Sequence, residues 1–297
     1  MVRLCHISDI HITNHPLGWQ AEDWFNKRLA AWANLRVLGR AHYFRLAETV
    51  MTSLMNELGA MPPDRVVFSG DATALGFGAE IERAAKVLGL TSARPLPGLA
   101  VPGNHDYCTI PAARSGDFER HFAPWQQGER VGNEVYPFAQ QVGPVWLVAV
   151  NGATGNRWAW DAGGRVDTVQ LERLQKLLAR LQGGPRILVI HFPVCTAAGK
   201  LERADRRLRD LKELIDVCSH GGISLWLHGH RHRFYHLAPP PQAPFPVICA
   251  GSTTQENLWS HGNYVIEDRR LRAAKRAYDP LSGTFTTVDE FELALDR

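Results

Sequence analysis

The sequence is short of the features that mark secreted, membrane-spanning and nucleic-acid-binding proteins. Its five cysteines are scattered, odd in number and never spaced as Cys-x-x-Cys, which favours a reduced, cytoplasmic protein over a disulfide-built one. No run approaches the roughly 20 apolar residues of a membrane-spanning helix, and the amino terminus shows no basic-then-apolar signal segment. The net charge of +3, without a clustered basic stripe, disfavours nucleic acid as a partner and suits a small anionic substrate.

The remaining composition is that of an ordinary globular protein. Hydrophobic residues make up 45% of the chain and charged residues 21%. A length of 297 residues is enough to bury a substantial core. Because the sequence contains neither an internal repeat nor a low-complexity linker, we predict a single domain over residues 1–297.

Short apolar runs that end abruptly at polar or glycine-rich residues predict buried strands. They lie at residues 2–7, 65–68, 98–101, 144–150, 185–190, 223–227 and 245–249. Between them, apolar residues three and four apart predict helices with one buried face. One such face comprises Val169, Leu174, Leu177, Leu178 and Leu181, and another comprises Leu208, Leu211, Leu214, Ile215 and Cys218. Strands that alternate with helices predict an α/β fold.

Five of the predicted strands lead directly into loops that carry metal-competent side chains. These side chains are Asp9, His11, Asp71, Asn104, His105, Asp106, His191, His230 and His232. Ligand sites of α/β sheets gather at the carboxyl ends of strands, so the five loops predict one shared cleft. Carboxylate, imidazole and amide oxygen ligands suit Mn, Fe or Zn, and none of the five loops contains cysteine.

The spacing within these loops supports a shared cleft. Asp-x-His and His-x-His place alternate side chains on the same side of an extended segment. Glycines directly before Asp71, Asn104 and His230 predict sharp backbone turns at the strand ends. Each block alone arises easily by chance, whereas five blocks in order, each after a strand, leave little room for coincidence.

Other polar residues have simpler interpretations. His6 and His228 lie inside predicted strands, and we expect them to be packed, hydrogen-bonded core residues rather than metal ligands. Residues 200–213 carry both charge signs at helical spacing, which predicts the solvated face of a helix. Arg231 lies between His230 and His232, so it is a candidate phosphate contact.

Together the five blocks resemble the signature blocks of the calcineurin-like metallophosphoesterases, over roughly residues 2–277. The resemblance implies a four-layer α/β/β/α sandwich with a dinuclear metal site at one sheet edge. It also implies the ligand sets: Asp9, His11 and His232 for one metal ion, Asn104, His191 and His230 for the other, and Asp71 as the bridge between them.

The same resemblance implies a reaction. Two metal ions about 3.5–4 Å apart can hold a bridging hydroxide for in-line attack on a phosphodiester or pyrophosphate bond. His105 would act as the general acid, and Asp106 would shape its loop. The protein Ser/Thr phosphatases of the family carry a second aspartate where this sequence has Ala74. His105 therefore lacks that carboxylate partner, which disfavours a protein phosphatase.

Residues 13–61 form an insertion after the first strand, predicted to be a helical cap over the cleft. Aromatic residues alternate there with basic ones, a profile typical of a helix at a membrane interface and also of a helix hairpin with tryptophans packed inward. The stretch 27–36 locally resembles bacterial enzymes that act on acylated nucleotide-sugars. This resemblance implies a UDP-diacylglucosamine-type substrate, with Trp24 and Arg28 as candidate contacts.

The substrate stays open at this point. A cyclic-nucleotide phosphodiesterase would share every metal block and need no lipid-binding cap. A metal-free interaction scaffold on the same fold is a rival of another class, but it would be expected to have lost ligands. Peripheral contact with the inner membrane face also stays open.

Overall fold

The computed structural model describes residues 1–295. Its strands are β1 (Val2–Ile7), β2 (Arg65–Phe68), β3 (Gly98–Ala100), β4 (Glu129–Arg130), β5 (Phe138–Val142), β6 (Val145–Ala149), β7 (Arg186–Val189), β8 (Ile223–His228), β9 (Phe234–Leu237), β10 (Val247–Ala250), β11 (Ser260–Glu267), β12 (Arg270–Asp279) and β13 (Thr284–Ala294). Its α-helices are α1 (Lys27–Arg36), α2 (Ala47–Ala60), α3 (Gly78–Val87), α4 (Ile110–Ser115), α5 (Asp117–Phe122), α6 (Thr168–Arg180) and α7 (Leu211–His220). All seven predicted strands are present.

The strands form two sheets, each with a parallel centre. One sheet has the order β13-β12-β11-β1-β2-β3, in which β1, β2 and β3 are parallel. The other has the order β4-β5-β6-β7-β8-β10-β9, in which β6, β7, β8 and β10 are parallel. The parallel strands of each sheet therefore present their carboxyl ends along a common edge.

The central strands are buried on both faces, which explains their uninterrupted apolar runs. In β2, Val67 joins the core cluster between the two sheets, whereas Val66 and Phe68 join the cluster beneath the helices. In β7, Ile187 lies between the sheets and Leu188 faces the helices. This alternation fills three packed interfaces, and the predicted four-layer α/β/β/α sandwich is confirmed.

Two helix predictions need correction. On α6, Leu174, Leu177 and Leu178 are buried as predicted, but Val169 lies in the first turn and is 56% exposed. The predicted helix face at residues 200–213 is wrong up to residue 210, because that segment forms turns and the helix begins only at Leu211. The turns bring Glu202 to a buried position, which a solvated helix face would not.

Residues 13–61 divide into two parts. Helix α2 buries Val50, Met51 and Leu54 in the cluster beneath the first sheet, so it belongs to the core of the sandwich. Residues 13–46, here called the cap, contain α1 and two short 3-10 helices, Ala21–Phe25 and Arg40–Phe44. Leu17 and Leu35 of the cap form a small hydrophobic cluster with Ala74, Leu75 and Phe77, which attaches the cap to the sandwich.

The aromatic residues of the cap divide in the same way. Trp19 and Trp32 pack inward against this small cluster, as the helix-hairpin interpretation requires. Trp24 and Phe25 are 53% and 92% exposed. No helix within residues 1–295 is both long and apolar enough to cross a membrane.

Candidate metal centre

The predicted metal ligands converge where the parallel strands of the two sheets end. Each follows its strand within a few residues: Asp9 and His11 follow β1, Asp71 follows β2, Asn104 follows β3, His191 follows β7, and His230 and His232 follow β8. Five of these seven are buried and the two on the last loop are half-buried. The sheet topology, not the sequence separation, therefore decides which side chains meet.

The backbone at this edge is held in an unusual conformation. Asp9, His11, Asp71, His230 and His232 all have positive φ, between 42° and 70°. Side-chain-bearing residues rarely adopt this left-handed region, which costs on the order of 1–2 kcal/mol each. Such conformations persist only where the surrounding structure enforces them, and they cluster at functional sites.

The first cluster consists of Asp9, His11 and His232. Asp9 Oδ1 lies 3.1 Å from His232 Nε2 and 3.9 Å from His11 Nε2. The two histidine Nε2 atoms are 3.2 Å apart. Ligand atoms of these three residues and of Asp71 all lie within 4.8 Å of one another.

The second cluster consists of Asn104, His191 and His230. Asn104 Oδ1 lies 2.8 Å from His230 Nδ1 and 3.2 Å from His191 Nε2. The same two histidine nitrogens are 3.3 Å apart. Asp71 Oδ2 connects the clusters, because it lies 3.4 Å from His191 Nε2 and 3.8 Å from His11 Nε2.

Second nitrogens fix the orientation of three imidazole rings. His191 Nδ1 donates to the Ser69 carbonyl at 2.8 Å, and His11 Nδ1 donates to the Thr73 carbonyl at 3.1 Å. His232 Nδ1 contacts the side-chain oxygen of Gln255. When Nδ1 carries the proton, the Nε2 lone pair is free to face the shared centre, the arrangement that metal-binding histidines need.

The electrostatics of the two clusters fit bound cations. Asp9 Oδ1 is buried and accepts no hydrogen bond from any described residue. Burial lowers the pKa of His11 and of His230 well below the usual value, so both rings are neutral at pH 7 and have a nitrogen lone pair for a metal ion. Neutral imidazole nitrogens beside a buried carboxylate oxygen that accepts no hydrogen bond within residues 1–295 form a donor set that suits metal ions of borderline hardness.

Asp71 and His191 form the most strongly coupled pair. Burial raises the pKa of Asp71, but the neighbouring His191 and His105 lower it well below its usual range. Burial lowers the pKa of His191, but the charge of Asp71 and its contact with the ring raise it, to about 9. Metal binding at His191 must therefore displace a proton, so the metal affinity decreases as the pH is lowered.

Asp106 joins the two loops that carry Asp71 and Asn104. Its Oδ2 accepts backbone N–H groups from Gly103 at 2.8 Å and Ala72 at 3.2 Å. Its Oδ1 accepts the backbone N–H and the hydroxyl of Thr73, both at 3.0 Å. Burial and the charge of Asp71 raise the pKa of Asp106 to about 7. Asp106 thus shapes the loop, as the sequence indicates.

The three glycines before the ligands serve two purposes. Gly70 has a φ of 99° and supplies the predicted turn. A Cβ at Gly103 would overlap the Asp71 carboxylate, and one at Gly229 would overlap the Ser8 hydroxyl and the Asp9 carboxylate. At these two positions the requirement is close approach of the loops rather than a turn.

His105 lies at the edge of the clusters and lines an adjacent cavity. Its Nδ1 donates to the Ala74 carbonyl at 2.7 Å, so a backbone oxygen takes the place of the absent aspartate. Burial lowers the pKa of His105 to about 4, with Asp71 raising it and Arg40 lowering it further. The ring is therefore neutral at pH 7 and offers Nε2 to a ligand.

The cavity beside the clusters has a volume of about 210 Å³. His11, Asn104 and His105 line its inner end. The cap contributes one face of α1, and other lining residues come from the short helix after α1 and from loops outside the cap. These cap and loop residues are Lys27, Ala30, Ala31, Asn34, Leu35, Arg40, Phe44, Ala159, Trp160, Ala162 and Arg206.

The three predicted substrate contacts lie elsewhere or are already engaged. Arg28 forms an ion pair with Asp23 at 2.6 Å and donates to the Leu75 and Gly76 carbonyls, so it anchors the cap instead. Trp24 packs against Trp19 in the cap with the rings tilted by 30°, and it does not line the cavity. Arg231 lies at the site, but its guanidinium pairs with Glu202.

Sequence reasoning missed the cationic residues of the cavity. Lys27 and Arg40 are part of the basic, aromatic insertion, but the sequence pattern does not distinguish them from Arg28. A signal was present, because residues 27, 30, 31, 34 and 35 share one helical face, on which the small Ala30 and Ala31 leave space beside Lys27. Gln255 and Arg206 stand outside every motif, and only the folded loops bring them to the site.

Comparison with known proteins identifies the family of the chain. The family model of the calcineurin-like phosphoesterases matches residues 2–234, which include all seven predicted ligands. No curated protein matches the sequence.

Three solved structures share the fold at low sequence identity. A dimetal phosphatase from Danio rerio is 12% identical with a TM-score of 0.66, and the alignment covers 99% of both chains. A purple acid phosphatase from yellow lupin seeds is 14% identical with a TM-score of 0.61, over 99% of this chain and 53% of the lupin enzyme. Plasmodium GAP50, an anchor in the inner membrane complex, is 10% identical with a TM-score of 0.50, over 100% and 89% of the chains. On the family match, this chain belongs to the calcineurin-like phosphoesterases.

Proposed function

We propose that the protein is a dinuclear metal-dependent hydrolase of phosphodiester or pyrophosphate bonds. One observation carries the proposal: two buried clusters of metal-competent side chains share Asp71. Asp9, His11 and His232 would hold one metal ion, and Asn104, His191 and His230 the other. Mn, Fe and Zn all suit these donors.

The chain's own residues prepare the site for this chemistry. Bound metal ions supply charge neutralisation of the phosphoryl group and a water of lowered pKa. Asp106 holds the Asp71 and Asn104 loops at the separation that both clusters need. His105, held in place by its hydrogen bond to the Ala74 carbonyl, presents Nε2 to the leaving-group oxygen. The negative charge of a bound phosphate favours the protonated ring, which then donates its Nε2 proton to that oxygen. The cap forms one wall of the cavity beside the site.

The cavity favours a compact, polar substrate. Its volume of about 210 Å³ lies below the roughly 300–1,000 Å³ of pockets that bury drug-sized ligands. Lys27, Arg40 and Arg206 line it together with Asn34. A polar cavity of this size suits a small phosphodiester or pyrophosphate better than a UDP-diacylglucosamine-type substrate, whose acyl chains need an apolar tunnel. A cyclic nucleotide is the second candidate, because it is equally compact.

An interaction scaffold on this fold is the rival of another class. GAP50 shows that a related fold can belong to an anchoring protein. The present chain, however, retains all seven donors, and their second nitrogens and loop contacts are in place. A scaffold has no need for five ligand residues in left-handed backbone.

The test compares two matched substitutions. Wild type, Asp71→Asn and Asp289→Asn are loaded with Mn, Fe or Zn and assayed on bis-p-nitrophenyl phosphate, cyclic AMP and UDP-diacylglucosamine. Asp289 is exposed on the edge strand β13, which β12 and β11 separate from β1, and its substitution makes the same chemical change. We expect Asp71→Asn to lose more than about 100-fold in kcat/KM and Asp289→Asn to keep wild-type activity. Full activity in Asp71→Asn would overturn the site, and no bound metal with no activity would favour the scaffold.

A further inference from the structure

The cavity beside the metal clusters carries three cationic side chains from separate segments. Lys27 begins α1, Arg40 begins the short helix after it, and Arg206 lies in the turns before α7. Lys27 is 8% exposed, and its Nζ donates to the Asp161 carbonyl at 2.6 Å. Across residues 1–295, no carboxylate forms an ion pair with any of the three.

Neighbouring arginines, by contrast, form ion pairs with carboxylates. Arg28 in the cap pairs with Asp23 at 2.6 Å, and Arg45 at the end of the cap pairs with Glu256 at 2.8 Å. Arg209, three residues after Arg206, pairs with Asp161 at 2.5 Å. The cations around the cavity thus form no ion pair with a carboxylate of the described chain, in a region where nearby arginines do.

Lys27 is buried and Arg40 is half-buried, and cations in such positions are costly unless an anion joins them, whereas Arg206 is exposed. Burial lowers the pKa of Arg40, and the charges of Asp71 and Asp9 act in the opposite direction. Two bound metal ions would take up those carboxylate charges, so the cavity would be left with a surplus of positive charge. A single scissile phosphate at the metal clusters cannot also neutralise three cations that line the adjoining space.

We propose that this cavity is a subsite for a second phosphate of the substrate, bound by Lys27, Arg40 and Arg206. The assignment rests on the proposed function and narrows it to pyrophosphate-linked substrates. His105 and Asn104 line the same cavity, which places the second phosphate directly beside the scissile one and on the leaving-group side.

The reaction balances with water as the only co-reactant. The oxygen of water bonds to the scissile phosphorus, the bond from that phosphorus to the bridging oxygen breaks, and its electron pair leaves with the second phosphate. Water's protons go to solvent or to the products, which are two phosphomonoesters. The three cations stabilise the charge that develops on the departing phosphate. A phosphodiester with an uncharged leaving group makes none of these contacts.

The test measures selectivity between two adenylyl esters, of which only the first has a phosphate in its leaving group. They are P1,P2-diadenosine diphosphate and the p-nitrophenyl ester of adenosine 5′-monophosphate. Variants Arg40→Gln, Lys27→Gln and Arg206→Gln remove the cations one at a time. Arg36→Gln on the exposed side of α1 and Arg209→Gln beside Arg206 are the matched controls.

We expect each cavity variant to lower the ratio of kcat/KM for the diphosphate over the monophosphate ester by about 10- to 100-fold, the size of a lost charge-assisted hydrogen bond. Both controls should keep the wild-type ratio. An unchanged ratio in all three cavity variants, with the fold intact by circular dichroism, would overturn the subsite.

Binding without turnover separates this inference from the proposed function. Calorimetry compares methylenediphosphonate with methylphosphonate on wild type and Arg40→Gln. Tighter binding of the diphosphonate that Arg40→Gln abolishes supports the subsite, even if the loaded wild type hydrolyses neither ester and the proposed function fails. Equal affinity for the two phosphonates on wild type would overturn the subsite, even if both esters are hydrolysed.

Discussion

Replacing Asp106 with asparagine tests whether one carboxylate holds the metal centre together. Asp106 accepts two hydrogen bonds on each oxygen, from the loops of Asp71 and Asn104. Asparagine can accept on one oxygen only, and in its better orientation the amide N–H₂ takes the place of Oδ1, where it faces the Thr73 N–H and the Thr73 hydroxyl. The hydroxyl can turn to accept, but the Thr73 N–H loses its acceptor, so we expect Asp106→Asn to lower the free energy of unfolding by about 1–3 kcal/mol.

The same substitution should weaken metal binding without touching a ligand. Partners that orient metal ligands typically contribute 10–100-fold in affinity, and Asp106 orients the Asp71 and Asn104 loops together. Urea denaturation gives the unfolding free energy, and calorimetric titration with Mn²⁺ gives the affinity. Asp289→Asn is the control, because that carboxylate is exposed on an edge strand. Unchanged stability and unchanged Mn²⁺ affinity in Asp106→Asn would refute this account of the loops.

Three further predictions use other parts of the molecule. Arg28→Ala should cost about 3 kcal/mol in a denaturant melt by stranding Asp23, and it should raise KM, whereas Arg36→Gln should do neither. Gly103→Ala should abolish activity and metal uptake, because its Cβ would overlap the Asp71 carboxylate, whereas Gly59→Ala, at an open helix position, should retain both. Burial lowers the pKa of His6 and of His261 to about 3, so the folded state binds fewer protons and stability falls as pH drops below 6.5. At pH 5 each ring should cost about 2 kcal/mol, and a His6→Gln variant with undiminished acid sensitivity would contradict this.

The fold and the convergence of the ligands were predictable from local pattern. Strands buried on both faces read as short apolar runs, and each run stops where a metal-competent loop starts. Parallel strands then place those loops at one edge, so the order of elements decides that Asp9 and His232 meet across 223 positions. His6 also follows the prediction, since it is buried between Tyr264 and Ser69.

The details that depend on side-chain direction were not predictable. Lys27 and Arg28 are adjacent and equally basic, but α1 turns one toward the cavity and the other toward Asp23. Val169 fits a helical period, but it lies in the first turn of α6 and faces outward. Gln255 meets His232 only because β10 ends beside β8. These contacts depend on tertiary packing, which a local sequence pattern does not describe.

Two metal ions share Asp71 in the proposed site. Anomalous X-ray diffraction from crystals grown with Mn²⁺ measures this directly. We predict two peaks about 3.5–4 Å apart, one bounded by Asp9, His11 and His232 and the other by Asn104, His191 and His230, with both lost or weakened in Asp71→Asn. A single peak, or two peaks that Asp71→Asn leaves unchanged, would contradict the account.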